Sequence, residues 1–179
     1  MDGQFLRSGD NCTMKCFHVI PVAALIAFSL AINPVDAAKR SAPTARARYA
    51  QINRDLGRYR IVKRKLTGYS PEGGTLRAYL LHGSPRKMVA YHYGESGKAI
   101  EEYYFWNHRL FFVLRAVFTY DQPFGKVKRT GEHRFHFSNG KLVRWQKDRK
   151  LMPLSLQEAK DYEESTLLMA RELLQTARS

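Results

Sequence analysis

The chain has 179 residues and carries 30 Lys and Arg against 16 Asp and Glu, a formal net charge of +14 at pH 7. Its apolar share of 44% is enough for a hydrophobic core, so a single domain is the expected organisation. The excess of positive charge favours anionic partners such as lipid headgroups, polysaccharide or nucleic acid, and it does not determine the fold.

The first 37 residues have the order of a secretory signal peptide with an upstream extension. Lys15 precedes an apolar run over 19–32, which is too short for the ~20 residues of a spanning helix. Val35 and Ala37 supply small residues at the −3 and −1 positions, so we expect cleavage after Ala37 and a functional start at Met14. The sequence therefore predicts a protein that is periplasmic or secreted. A retained N-terminal anchor is the alternative.

The predicted mature chain is a single domain over 38–179. Both cysteines, Cys12 and Cys16, precede it, so it contains no disulfide, no catalytic thiolate and no Cys-based zinc site. We expect no transmembrane segment in this mature form and no cofactor.

Short periodic segments predict an N-terminal helix followed by a meander of strands. Apolar residues recur at helical spacing over 45–56, with Thr44 as the N-cap and Gly57 as the C-terminal stop. Alternation replaces this spacing over 58–66, 75–81 and 87–93, with turn residues between the runs. We expect the helix at an edge of an antiparallel sheet.

The aromatic-rich stretch 101–120 predicts the central hairpin of that sheet, with its turn at Asn107-His108. The predicted pairs are Trp106 with Arg109, Phe105 with Leu110, Tyr103 with Phe112, and Glu101 with Leu114. One side of the hairpin then carries Tyr103, Phe105, Leu110, Phe112, Leu114, Ala116 and Phe118. The other side is half apolar and needs cover from the chain, a second subunit or a ligand; it carries Glu102, Tyr104, Trp106, Arg109, Phe111, Val113 and Arg115.

A last hairpin follows. Asn139-Gly140 is a strong hairpin signal between the runs 126–137 and 141–146. It would set Trp145 opposite Arg134 as a cation–π pair.

The chain ends in a long helical pattern. Ser155 and Glu158 form a capping-box pattern, and an apolar stripe at helical spacing continues to Leu174. The predicted fold class is α+β, an antiparallel β-meander of six to seven strands with the C-terminal helix packed on one face and a short N-terminal helix.

The usual metal-binding and catalytic patterns are absent from the sequence. His133 and His136 are three apart, so on a strand they point to opposite faces and do not share an ion. Adjacent Glu101 and Glu102 face opposite ways for the same reason, and a cross-strand ion pair of Glu102 with Arg115 is expected. We predict no metal site.

Catalysis by a scattered set remains an open alternative. Glu102, His92 and Tyr104 on one sheet face would be such a set, since perturbed groups gather in clefts. His92 is otherwise interpreted as a partly buried, hydrogen-bonded imidazole beside tyrosines.

Basic residues cluster near both ends of the mature chain. The first cluster is Arg60, Lys63, Arg64 and Lys65, and the second is Lys126, Lys128, Arg129, Arg134, Arg144, Lys147, Arg149 and Lys150. If the two ends meet in space, they form one anion-binding surface. The alternative is a solvated face without a dedicated ligand.

Several strings resemble a group of uncharacterised exported bacterial proteins. They are EGGTLRAYL, YHYGESGKAIEEYYF, LFFV and EHRFHFSNGKLVRW. The group has the cadence EGG-x-L-x-AY, YGE-x-GKA, EYYF and GKLxRW, and the similarity covers Glu72 to Trp145. This resemblance implies bacterial export and a meandering sheet, and it implies no activity.

These observations favour a non-enzymatic binding or accessory protein of the cell envelope that engages an anionic component or another protein. No dedicated nucleic-acid site is inferred. The alternative is a small hydrolase or isomerase with a pocket between the sheet and the C-terminal helix. The candidate binding residues are Glu102, Tyr104, Trp106, Arg109, Phe111, Arg115, Arg134, Arg144 and Trp145.

Overall fold

The structure, a computed structural model, describes residues 44–122 and 126–179. The predicted signal peptide and its cleavage point lie outside the described residues, so both stay predictions.

Eight antiparallel strands form one sheet in which every strand pairs with its neighbours in the chain. They are β1 (Arg60–Leu66), β2 (Gly74–Leu81), β3 (Ser84–Gly94), β4 (Gly97–Trp106), β5 (Arg109–Tyr120), β6 (Val127–Ser138), β7 (Lys141–Lys147) and β8 (Lys150–Met152). Two α-helices flank the sheet, α1 (Ala45–Arg54) and α2 (Gln157–Arg178), and a 3-10 turn follows α1 at Leu56–Arg58. The predicted α+β meander is confirmed.

The sheet has eight strands, whereas six to seven were predicted. The short strand β8 is reached through a tight turn in which Asp148 and Arg149 both have positive φ, 45° and 72°. Such turns usually pair Asn or Asp with Gly, and here Asp148 is followed by Arg149 instead. The sequence signal for a turn is therefore weak at this point.

The helix α2 packs on one face of the sheet, which we call the α2 face. It contacts β1 and β2 toward one edge and β7 toward the other, so it crosses the face. Its buried side chains include Ala159, Ala170 and Leu173. They join a core whose sheet residues include Leu66, Leu76, Ala78, Met88, Ala90, Tyr103, Phe105, Phe135 and Trp145. Apolar side chains from all eight strands thus belong to, or pack against, one cluster that also contains the buried side of α2.

The helix α2 begins one residue later than the capping-box pattern suggested. Its N-cap is Leu156, which makes no side-chain capping bond, and Gln157 is the first helical residue. Ser155 is exposed and lies before the cap. Ser155 was predicted as the N-cap from its spacing to Glu158 alone, and its hydroxyl does not cap the helix.

The helix α1 lies on the opposite face, which we call the α1 face, and not at the edge of the sheet. Thr44 caps it as predicted, because its Oγ1 accepts a hydrogen bond from the Ala47 amide at 3.2 Å. The helix ends at Arg54 with Asp55 as C-cap, two residues before the predicted Gly57. Ile52 is fully buried against the strand aromatics beneath it. The half-apolar side of the central hairpin is therefore covered by the chain itself.

A β-bulge changes the predicted register of the central hairpin. The pairs Trp106 with Arg109 and Phe105 with Leu110 are confirmed, and the next pair is Tyr104 with Phe112. Phe111 is the extra residue, so every later residue of β5 pairs one position further along than predicted.

The consequence is an exchange of faces along most of β5. Tyr103 pairs with Val113 and Glu101 with Arg115, whereas Glu102 pairs with Leu114. The predicted Glu102–Arg115 ion pair is therefore wrong, and Arg115 lies on the α2 face beside Glu101. A one-residue slip moves each side chain to the other face because the strand period is two.

A second bulge affects the last hairpin. Trp145 pairs with Phe135, and Arg134 pairs with Gln146, so the predicted Trp145–Arg134 cation–π pair is wrong. Trp145 lies fully buried on the α2 face. Within 44–122 and 126–179, no helix is both long and apolar enough to cross a membrane.

Candidate binding sites

Four polar side chains form a connected network beneath α1. The Lys87 ammonium lies 3.1 Å from Glu102 Oε2 and donates a hydrogen bond to Asn53 Oδ1 at 3.0 Å. The Tyr104 hydroxyl donates to Glu102 Oε2 at 2.5 Å and lies 3.2 Å from Asn53 Oδ1. A phenol has one proton, so the shorter contact is the bond and the longer one a weaker competitor.

This network fastens α1 to the sheet. Lys87 is only 7% exposed and its ammonium lies 5.0 Å from the centre of the Tyr104 ring. Burial, together with the hydrogen bond to Glu102, raises the pKa of Tyr104 far above its ordinary value, so the phenol stays protonated. Glu102 and Tyr104 form their hydrogen bonds and ion pair with other residues of the protein. They belong to a buried polar network with partners inside the chain, and this is a structural arrangement.

The tip of the central hairpin carries Trp106 between two cations. The guanidinium carbons of Arg48 and Arg86 lie 5.5 Å and 5.4 Å from the centre of the indole ring. Arg109 donates to Asn139 Oδ1 at 3.1 Å and so joins this tip to the next hairpin. Phe111, the bulge residue, is 6% exposed and packs on Tyr104. Trp106 and Arg109 line a depression of about 430 Å³ at this end of the sheet.

Trp145 and His133 belong to an aromatic cluster under α2. The indole Nε1 donates to His133 Nδ1 at 3.3 Å, and Tyr162 of α2 packs 5.1 Å from the indole centre. Burial and nearby Lys147 and Arg115 lower the pKa of His133, so it accepts this bond as a neutral imidazole. His136 lies on the other face, 4.9 Å from Phe112, as the odd spacing predicted. The two imidazoles do not approach a common ion.

A cavity of about 230 Å³ lies between the sheet and α2. It has both polar and apolar walls, formed by Tyr69, His92, Ala99, Glu101, Tyr103, Val113, Arg115, Phe135, Ser165, Thr166 and Met169. We call it the α2 cavity. Glu101 Oε2 accepts a hydrogen bond from the Tyr103 hydroxyl at 2.5 Å, and Oε1 lies 3.3 Å from Arg115 Nε.

Glu101 is held as an anion in this wall. Burial alone would raise its pKa, but the His92 imidazole, the Tyr103 hydroxyl and Arg115 outweigh that effect and hold the pKa below its usual value. His92 Nε2 lies 3.6 Å from Glu101 Oε2, which is beyond hydrogen-bond distance. Both ring nitrogens are buried, and neither has a hydrogen-bond partner among the described residues. The expectation of a hydrogen-bonded His92 is therefore wrong.

The scattered set that sequence reasoning considered does not share a face. Glu102 and Tyr104 lie on the α1 face, while His92 pairs with Ala99 on the α2 face. Glu101 lies 3.6 Å from His92, and Arg115 lines the same cavity. Face counting placed Arg115 on the other side of the sheet because it took no account of the bulge at Phe111. In the part of the chain that the structure describes, no three His, Cys, Asp or Glu side chains gather as possible metal ligands.

The α1 face carries basic side chains from almost the whole width of the sheet. Cross-strand pairs link Lys63 to Arg77, Lys98 to Phe118, Phe118 to Arg129, Leu114 to Arg134 and His136 to Arg144. Directly paired residues share a face, so these cations project to one side. They are Lys63, Lys65, Arg77, Lys98, Arg129, Arg134 and Arg144.

The two basic clusters of the sequence do not meet edge to edge, since β1 and β8 are the opposite edges of the strand order. Part of each cluster shares the α1 face instead. Arg129, Arg134 and Arg144 of the second cluster lie there, whereas Lys147 pairs with His133 on the α2 face. Within β1 only Lys63 and Lys65 take part, because Arg60 and Arg64 alternate with them and point to the α2 face with Val62. The alternation of β1 could have revealed this division.

Few carboxylates compensate for these charges. Glu132 binds Arg134 through Nε at 2.5 Å and also contacts Arg129, and Glu102 binds the buried Lys87. Lys63, Lys65, Arg77, Lys98 and Arg144 form no ion pair with any residue in the described ranges. Half-buried Tyr79, Tyr91, Tyr93 and Phe118 lie between them.

A groove of about 430 Å³ separates α1 from β5 and β6 on this face. Tyr49, Phe112 and Leu114 provide apolar walls, and Arg46, Arg134 and His136 provide polar ones. Burial, reinforced by Arg144 and Arg134, lowers the pKa of His136. The groove thus extends the basic surface with an apolar floor. Comparison of the chain with protein-family models, with curated proteins and with solved structures finds no match.

Proposed function

We propose that the protein is an exported binding protein of the bacterial envelope that engages an anionic component through its α1 face. One observation supports this most: the sheet register gathers Lys63, Lys65, Arg77, Lys98 and Arg144 on one face without carboxylate partners among the described residues. Like charges on one surface repel each other, so binding of an anion to such a face lowers the free energy of the protein.

The partner we propose is an extended anion, either anionic lipid headgroups or an anionic polysaccharide. The cations span from β1 to β7, and no single small anion reaches all of them. The half-buried tyrosines between the cations offer flat surfaces with hydroxyl groups, which suit contact with sugars or a lipid interface.

Charge reversal on this face tests the proposal. Lys63, Lys65 and Arg144 are exposed and lie near opposite edges of the sheet. Each Lys or Arg near an anionic surface contributes about 1 kcal/mol, so three reversals cost about 3 kcal/mol or more, roughly a hundredfold in affinity. We expect the unaltered protein to be retained on heparin or on phosphatidylglycerol vesicles, and the variant K63E/K65E/R144E to lose that retention. Retention on heparin would identify a polysaccharide as the partner, and retention on the vesicles would identify lipid headgroups.

The matched control reverses three exposed cations of α2, in the variant K160E/R171E/R178E. It changes the net charge by the same amount and leaves the α1 face intact. Equal loss of retention in both variants would show that retention depends on the net charge and not on the α1 face, which would overturn the proposal. Absence of retention by the unaltered protein on both probes would also overturn it.

The alternative of a small hydrolase or isomerase has one observation in its favour. The α2 cavity lies between the sheet and the C-terminal helix, and His92, Glu101 and Arg115 line it. Glu101, however, is surrounded by donors that favour its ionised form, which makes it a weak proton acceptor. The Ser165 hydroxyl donates to the Asp161 carbonyl at 2.7 Å and is not joined to a base. The arrangement supports binding better than it supports catalysis.

A further inference from the structure

We propose that the α2 cavity is a second binding site, one that takes a small organic monocarboxylate with a short apolar tail. This site is independent of the anion-binding α1 face, since it lies on the other side of the sheet. The proposal rests on four features of the cavity: its size, the free edge of Arg115, the unpaired nitrogens of His92 and the apolar wall opposite them.

The size of the cavity limits its occupant. Its volume of about 230 Å³ corresponds to about eight water molecules at ~30 Å³ each. Sites for drug-sized ligands begin at about 300 Å³. The occupant is therefore a small molecule and not a sugar chain or a peptide.

Arg115 supplies the group that recognises a carboxylate. Its contact with Glu101 uses the Nε atom, at 3.3 Å from Oε1. A guanidinium has five N–H donors in a fixed fork, so the two Nη groups remain for another acceptor. The side chain is 38% exposed, which makes that outer edge accessible. A carboxylate is the acceptor whose geometry matches this edge.

Glu101 and Tyr103 keep a negative charge beside that fork. The Tyr103 hydroxyl donates to Glu101 at 2.5 Å and fixes the carboxylate, whose charge attracts the guanidinium of Arg115 at 3.3 Å. The charge of Glu101 also restricts the ligand. The carboxylate of Glu101 repels a dianion more strongly than a monoanion, so phosphate or a dicarboxylate is disfavoured as the ligand.

His92 is the second sign that the cavity has an occupant. Both of its ring nitrogens are buried without a hydrogen-bond partner among the described residues. A buried polar group without a partner costs free energy, and native proteins usually supply a water molecule or a ligand. The adjoining cavity is where such a group can reside.

The opposite wall explains the apolar tail. Val113, Phe135 and Met169 line the cavity, and Val113 and Phe135 belong to the buried core. Such a wall offers no hydrogen bonds to water. The transfer of a few methylene groups from water to this wall is favourable in free energy. A short aliphatic acid places its charge at Arg115 and its tail against these residues.

Butyrate and its neutral analogue butyramide test the charge recognition directly. We expect butyrate to cause saturable chemical-shift changes in the protein, with binding about tenfold or more tighter than that of butyramide, because a charge-assisted pair is replaced by a neutral bond. Inorganic phosphate should not compete for the site. Equal binding of butyrate and butyramide, competition by phosphate, or absence of butyrate binding would each overturn the proposal.

Two variants locate the site. Ala99→Leu fills the cavity without altering a charge, and Ala47→Leu makes the same change on the exposed side of α1 as a control. We expect the first to abolish butyrate binding and the second to leave it unchanged. Unaltered binding in Ala99→Leu would overturn the assignment.

Arg115 is tested in a background that keeps the buried charges balanced. Arg115→Gln alone would leave Glu101 unpaired and could unfold the protein, so the double variant E101Q/R115Q is compared with E101Q. We expect E101Q/R115Q to bind butyrate about tenfold to a hundredfold more weakly than E101Q, because the two variants differ only in the guanidinium. Equal affinity in these two variants would exclude Arg115 as the anchor.

Discussion

Replacing Lys87 by Met tests whether the network beneath α1 is structural. Lys87 was not a residue that the sequence singled out, yet it contacts Glu102 and Asn53 and lies over Tyr104. Methionine preserves the apolar length of the side chain and removes only the ammonium group. The variant therefore isolates the charge.

The expected cost follows from what the ammonium leaves behind. Removing one partner of a buried ion pair typically costs about 3–5 kcal/mol, because the other charge stays buried and unpaired. Glu102 is 25% exposed at its side chain and keeps the hydrogen bond from Tyr104 at 2.5 Å. These two features lower the expected loss to about 2–3 kcal/mol of unfolding free energy.

The assay is urea unfolding at pH 7 with a double-mutant cycle. The variant K87M/E102Q removes both charges, so we expect it to lie within about 1 kcal/mol of the original protein, with a coupling energy of at least about 1–2 kcal/mol. An unchanged m-value would show that the same surface is exposed on unfolding.

A surface pair provides the matched control. Lys141 lies 3.3 Å from Glu163, but its side chain is 78% exposed. Lys141→Met should cost about 0–1 kcal/mol, since water screens such a pair. The argument fails if Lys87→Met costs no more than Lys141→Met, or if its cost is the same with and without Glu102.

Two further predictions concern the sheet. The lowered pKa of Glu101 means that its ionised form stabilises the fold above its unfolded-state pKa near 4.5, and that this contribution is lost as pH falls through the lower folded-state value. The stability advantage over Glu101→Gln in urea should therefore shrink as pH falls below about 4.5; a constant difference between pH 7 and the lowest pH at which both proteins fold would contradict this. A Cβ at Gly97 would lie 2.2 Å from the Phe118 carbonyl oxygen, whereas one at Gly94, across the same turn, would lie 3.6 Å from its nearest neighbour. Gly97→Ala should thus cost more than about 2 kcal/mol and Gly94→Ala less than about 1 kcal/mol by thermal unfolding, and similar losses would show that the strands move apart at little cost.

The turns and the strand alternation of this protein were predictable because they depend on neighbouring residues. Asn107, His108 and Asn139 all have positive φ, as their turn positions required. The opposite faces of His133 and His136 follow from the period of two and are found in the structure. The helix that crosses the sheet was also evident from its apolar stripe.

The composition of the candidate sites was not predictable in this way. The bulge at Phe111 lies where Tyr104, Phe111 and Phe112 form one buried cluster with Ile52 of α1, and no residue type in the hairpin predicts it. That single inserted position transfers Arg115 from Glu102 to Glu101. It thereby decides that Glu102 belongs to a satisfied network and that Arg115 lines a cavity.

The sequence by itself determined the order of the strands, most of the turns and the excess of positive charge, since these follow from local propensity and composition. Only the tertiary structure decided which cations share a face and which acid meets which base. The face of each side chain follows from a strand register that β-bulges shift, and the bulges in the central and last hairpins are not evident from the residues beside them. The placement of α1 over the central hairpin is equally a long-range result, because Asn53 meets Lys87 and Tyr104 across 34 and 51 residues of chain.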